Sequence, residues 1–99
     1  MRNSTSIAGI DPGSRRTGYA LVRFEGRRIV HAEIGCWSVG SARSGPQSLA
    51  ELSRLAEAWL TEIQPDAAAV ETPFHHRNAR SALVLAEARG ALLAVLGRL

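Results

Sequence analysis

A chain of 99 residues, 45% of them hydrophobic, is long enough for one small domain over 1–99 and too short for two. All 12 basic residues are Arg, the net charge is +3 and the pI is about 10.4; this fits an anionic partner and bidentate phosphate contact, although genomic base composition accounts for the missing Lys equally well. A single cysteine excludes a disulfide framework, and the longest aliphatic run, Ala91 to Leu96, falls far short of the ~20 residues that cross a bilayer, so no membrane partner and a cytoplasmic location are expected.

Ser6 to Ile10 reads as a buried first strand, and Asp11 to Thr17 as a loop. Gly18 to Phe24 alternates and reads as a second strand, followed by the short connection Glu25-Gly26-Arg27. Arg28 to Cys36 reads as a third strand, with Val30, Ala32, Ile34 and Cys36 on one face and Ile29, His31 and Glu33 on the other. Cys36 is expected to be a buried strand thiol. Val39 to Pro46 is a Gly/Ser/Arg loop. Ser48 and Glu51 form a capping-box pair, after which Leu49, Leu52, Leu55, Ala56, Trp59, Leu60 and Ile63 mark an amphipathic helix that Pro65 ends.

Ala67 to Glu71 is alanine-rich, and alanine favours helix. Few residues separate Pro65 from Pro73, however, so a short buried strand is expected. Thr72 to Arg77 is a loop. Asn78 or Ser81 caps a second helix running to about Leu96, with Ala82, Ala86, Gly90 and Ala94 forming a ridge of small side chains. The rest of that helix is apolar almost all round, so it should be buried on several sides. A meander, a crossover helix and a further strand place the fourth strand parallel to the first, by a right-handed crossover. Asp11 and Glu71 would then end neighbouring strands at one edge. Asp66, five residues before Glu71, would lie about 16 Å away at the opposite end and is a poor ligand candidate.

Those two acids carry the chemistry. Each ends an apolar strand and is followed by a loop with basic residues: Asp11-Pro12-Gly13-Ser14-Arg15-Arg16 and Glu71-Thr72-Pro73-Phe74. Gly13 lets backbone approach a ligand, and Ser14, Arg15 and Arg16 offer donors. Paired strand-end carboxylates beside phosphate-binding side chains point to metal-dependent phosphodiester chemistry; the alternative is that each acid caps a loop. Arg77 and Arg80, near the start of the second helix, either bind phosphate with help from the helix N-terminus or form a solvated face. His75 and His76 read as solvent or phosphate contacts rather than ligands.

Gly9-Ile10-Asp11-Pro12-Gly13-Ser14, with Thr17-Gly18-Tyr19, resembles the opening of RuvC-type Holliday junction resolvases. So do Glu71 with Phe74, Asn78 with Ser81-Ala82-Leu83, and Ala88-Arg89-Gly90. The resemblance covers essentially the whole chain. It implies an α/β, RNase H-like fold: an antiparallel three-strand meander, a parallel fourth strand and two helices. It also implies a homodimeric endonuclease that nicks four-way DNA junctions with Mg2+ or Mn2+ held by four carboxylates, and a branch-migration motor as a further partner. Asp11 and Glu71 would be metal ligands, Phe74 would contact bases at the crossover, and the segment from His75 to Arg80, with Arg77, Asn78 and Arg80, would follow the DNA backbone. The family's fifth strand and later helix, which supply two more acids, are missing. The chain looks like the front two-thirds of a resolvase, whose dimer would form through the second helix.

Two other functions compete. One is a dimeric junction-binding module that does not cleave, because two of four carboxylates are absent. The other is an actin- or sugar-kinase-like ATPase with a similar opening loop, which needs a second domain and a second phosphate loop that 99 residues do not hold.

Overall fold

A computed structural model describes residues 4–13, 15–39, 45–72 and 78–99. Three strands come first: β1 (Ser4–Asp11), β2 (Arg16–Glu25) and β3 (Arg28–Ser38). They form the expected meander, with Ile7 opposite Val22 and Tyr19 opposite Gly35. The β1–β2 turn depends on Gly13, because a Cβ there would collide with the Arg16 carbonyl oxygen. The β2–β3 hairpin turns on Gly26, whose φ of 64° suits a residue without a Cβ.

The chain then crosses through α1 (Gly45–Ile63) to β4 (Ala67–Val70), which lies parallel to β1, and ends in α2 (Ala79–Arg98). The sheet order is β3-β2-β1-β4. Both helices lie on one side of the sheet. Leu52, Ala56 and Leu60 of α1 and Ala88, Leu92 and Val95 of α2 close over Ala8 and Ile10 of β1, with Ala68 and Val70 at the margin. On that side Tyr19, Trp37 and Trp59 form an aromatic cluster with ring centroids 4.4–5.6 Å apart. Tyr19 rests on Gly35, where any Cβ would meet its ring.

Several expectations need correction. The α1 helix begins at Gly45, so Ser48 lies inside its first turn and the capping box does not form its end. Pro46 is tolerated there because the first-turn N–H groups have no helical partner. Glu51 instead pairs with Arg54 at 2.6 Å, which raises the Arg54 pKa through that hydrogen bond on an exposed surface. In β3 the pairing steps from His31 opposite Arg23 to Ile29 opposite Phe24. Val30 is therefore the extra residue of a bulge. Ile29, not Val30, shares a face with Ala32, Ile34 and Cys36. That face carries no helix, so Cys36 is exposed rather than buried and Ile34 is 88% exposed.

The α2 helix is covered on one stripe only. Leu83 and Leu93 on the other side are exposed, together with Ala86, Gly90 and Ala94, because no other element among the described residues packs over them. Asn78 is the cap, accepting from the Ser81 N–H at 2.8 Å. Among the described residues the buried Nε of Arg89 finds no hydrogen-bond partner, for which the packing offers no account. Among the described residues no helix is long and apolar enough to cross a membrane.

Candidate active site

The parallel β1–β4 ladder brings the two strand-end acids together. Ile7 pairs with Ala67 and Ile10 with Val70, and the Glu71 N–H donates to the Ile10 carbonyl at 2.8 Å. One step further, Glu71 comes level with Asp11. Side chains alternate along a strand. Ala8, Ile10, Ala68 and Val70 face the helices, so Gly9, Asp11, Ala69 and Glu71 face the open side. Both carboxylates are exposed there, and neither is paired with a basic side chain among the described residues.

Small residues make the floor beside them. Gly9, Gly18, Ala20 and Ala69 line a shallow open depression of about 390 Å³ together with Asp11, Glu71 and Ile34. Gly18 is the direct cross-strand partner of Asp11, and a Cβ on Gly18 would come into ordinary contact with the Asp11 Cβ. A larger side chain would occupy the space next to the carboxylate. The chemistry-first reading of the sequence passed over Gly9, Ala20 and Ala69. The signal for them was their parity with Asp11 and Glu71, which becomes readable once the register is known.

Arg15 is exposed in the β1–β2 turn, at the same end of the sheet as Asp11. Asn78 and Arg80 are exposed at the start of α2, and the Asn78 side-chain oxygen is engaged in the helix cap. Ser14, Phe74 and Arg77 lie outside the described residues, as do His75 and His76. Among the described residues no group of three or more Asp, Glu, His or Cys side chains converges. Asp66 sits at the far end of β4, as expected.

A meander with a parallel fourth strand and a helical layer, ending in two adjacent carboxylates, defines an RNase H-like fold. A family model described as crossover junction endodeoxyribonuclease RuvC matches residues 7–98, and the chain belongs to that family. It is 39% identical over 87 residues to the RuvC of Citrifermentans bemidjiense, covering 88% of this chain and 53% of that relative. It is 41% identical over 96 residues to the RuvC of Chlorobaculum parvum, covering 94% of this chain and 50% of that relative. The chain thus spans about half the length of the curated relatives it matches. A solved structure of T. thermophilus RuvC in complex with Holliday junction substrate superposes with a TM-score of 0.80 at 26% identity, over 95% of this chain and 60% of that one. An Aquifex aeolicus Ppx/GppA enzyme, at 14% identity and a TM-score of 0.54, shares the fold alone.

Proposed function

We propose that this chain is the part of a Holliday junction resolvase that bears the first two metal-binding carboxylates, and that it acts on four-way DNA junctions in recombination and repair. The observation that carries this reading is the placing of Asp11 and Glu71 side by side on an open, glycine-lined sheet edge, in a chain of the RuvC family. Carboxylate oxygens are the hard donors that Mg2+ or Mn2+ prefers, and the small floor residues leave room for coordinated water. Among the described residues two such side chains stand at neighbouring strand ends, a donor set that fits one ion, completed by water and phosphate oxygens, rather than two. A bound ion supplies charge stabilisation at the phosphate and a more acidic water.

The chain's own residues do the rest. Asp11 and Glu71 would hold the ion at the strand ends. Ser14, Arg15, Arg77, Asn78 and Arg80 contact phosphate. Phe74 contacts bases at the crossover. A cytoplasmic location fits a DNA substrate, and a branch-migration motor is a further partner in the family reading. A second reading is a non-cleaving junction-binding module, because Asp11 and Glu71 stand at neighbouring strand ends and no group of three or more potential ligands forms among the described residues.

Junction binding tests this reading first. Affinity for a synthetic four-way junction should exceed that for a linear duplex and fall with salt, because Arg–phosphate contacts release counterions. Arg77→Ala and Arg80→Ala should each weaken binding and flatten the log–log salt slope by about one unit. A slope unchanged in the double variant would remove both arginines from the DNA interface.

The uncovered stripe of α2 is the proposed homodimer surface. Leu83, Ala86, Gly90 and Leu93 recur at helical spacing on the side away from the core, and their small members allow close helix approach. Ala86→Leu should wedge such a contact apart at a cost of ~1–3 kcal/mol. Sedimentation equilibrium should then show a weakened dimer. A dimer of unchanged affinity would place the interface elsewhere.

A further inference from the structure

The fourth strand has a difficult task. It must deliver Glu71 beside Asp11, yet it is Ala67-Ala68-Ala69-Val70. A one-residue slip in a strand turns every side chain to the other face. In most strands that exchanges apolar for polar residues and is strongly disfavoured. Here it would largely exchange alanine for alanine, while turning Glu71 from the open face toward the helices. The three alanines therefore do little to specify the register, which within the strand rests on Val70 against the core and on the cost of turning the Glu71 carboxylate inward.

The strand's entry supplies what its interior lacks. The Ser6 N–H donates to Asp66 Oδ2 at 2.7 Å, and Ser6 Oγ donates to the same oxygen at 3.3 Å. In return the Asp66 N–H donates to the Ser6 carbonyl at 2.9 Å and lies 3.2 Å from Ser6 Oγ. Ser6 is 8% exposed, so its side chain is held within the fold. The chain reaches this clamp directly from α1, through Gln64 with φ 44° and then Pro65. Asp11 follows Ser6 at the same sequence separation as Glu71 follows Asp66, and the ladder between them runs without a bulge. Locking Ser6 to Asp66 therefore fixes Asp11 level with Glu71.

We propose that Ser6 and Asp66 form a register lock: a pair of positioning residues, at the opposite end of the sheet from the carboxylates, that sets where Glu71 arrives. The functional part of this inference rests on reading Asp11 and Glu71 as a metal pair. The register part does not.

NMR on the full chain separates the two. Cross-strand NOEs between Ala8 and Ala68 and between Ile10 and Val70 report the register. Exchange protection of the Glu71 amide reports its bond to Ile10, and Mn2+ broadening of Gly9 and Gly18 reports the metal pair. Asp66→Ala should lose these NOEs, lower Glu71 protection by about tenfold or more, and weaken the Mn2+ effect, while Leu52, Leu60 and Leu92 in the core stay protected. Asp66→Asn keeps an acceptor for the Ser6 N–H and should retain the register. Should Asp66→Ala lose core protection as well, Ser6→Ala decides the matter, because it removes only the hydroxyl and should give a smaller, local loss at Glu71. Native NOEs and unchanged Glu71 protection in the folded variant would overturn the lock. Absence of Mn2+ broadening in the wild-type chain would instead overturn the metal pair, with the register measurements still deciding the lock.

Discussion

Purified as it stands, the chain should bind four-way junctions and nick them very poorly, and Asp11→Asn should abolish the nicking that remains while leaving binding intact. The physical ground is the donor count. Two carboxylates fit one divalent ion, and two-metal phosphodiester chemistry stabilises both the attacking and the leaving oxygen. Forgoing several kcal/mol of that stabilisation corresponds to a rate loss of about 10³-fold or more. Asn keeps the shape of Asp but loses its charge and much of its affinity for a hard cation. Removing a negative charge near a polyanion does not weaken phosphate binding, so affinity should hold or rise slightly. The measurement is single-turnover nicking of a labelled junction with and without Mg2+, alongside binding in Ca2+. Robust Mg2+-dependent cleavage by the wild-type chain would show that its two acids suffice. Loss of binding in Asp11→Asn would show that Asp11 supports the fold rather than the chemistry.

The largest effect on stability is expected at Leu92. It is fully buried on α2, within the cluster that joins α1, α2 and β1. Leu92→Ala removes apolar contacts and leaves a cavity, which costs about 2–5 kcal/mol. A domain of this size has only about 5–15 kcal/mol in hand, so Tm should fall by about 10 °C or more. Ile34, on the helix-free face, is the control. At 88% exposed it should cost under about 1 kcal/mol when changed to Ala. Calorimetry of the two variants checks both statements. Equal losses would mean that the open face of the sheet is covered in solution.

Much of the architecture was legible in the chain order of its elements. A short apolar run marked β1, alternation marked β2 and β3, and the three- and four-residue recurrence of Leu52, Ala56 and Leu60 marked α1. Pro65 stopped that helix, and Asn78 was one of two candidate caps for α2, with Ser81, until the structure showed Asn78 in that place. The crossover rule then placed β4 beside β1 and so Asp11 beside Glu71. The candidate site was legible for the same reason, since each of its two acids follows an apolar strand. The start of α1 was misread because Ser48 and Glu51 have capping-box spacing, whereas the helix extends back through Pro46 to Gly45.

The sequence by itself thus determined the elements, their order and the two acids that end β1 and β4, because periodicity, breakers and caps are local properties of neighbouring residues. Tertiary structure alone decided which face of the sheet stays open. An alternating strand such as β3 states that it has two faces and not which of them the helices will cover, so Cys36 and Ile34 were unreadable until α1 and α2 had packed. It also decided that α2 buries Ala88, Leu92 and Val95 and leaves Leu83 and Leu93 outside, since a helix apolar on most sides does not choose its own buried stripe. And it decided the register of β4. Three alanines carry almost no pattern to set it, so the position of Glu71 depends on contacts that join residues far apart in the chain, such as Ser6 to Asp66 and Ile10 to Glu71.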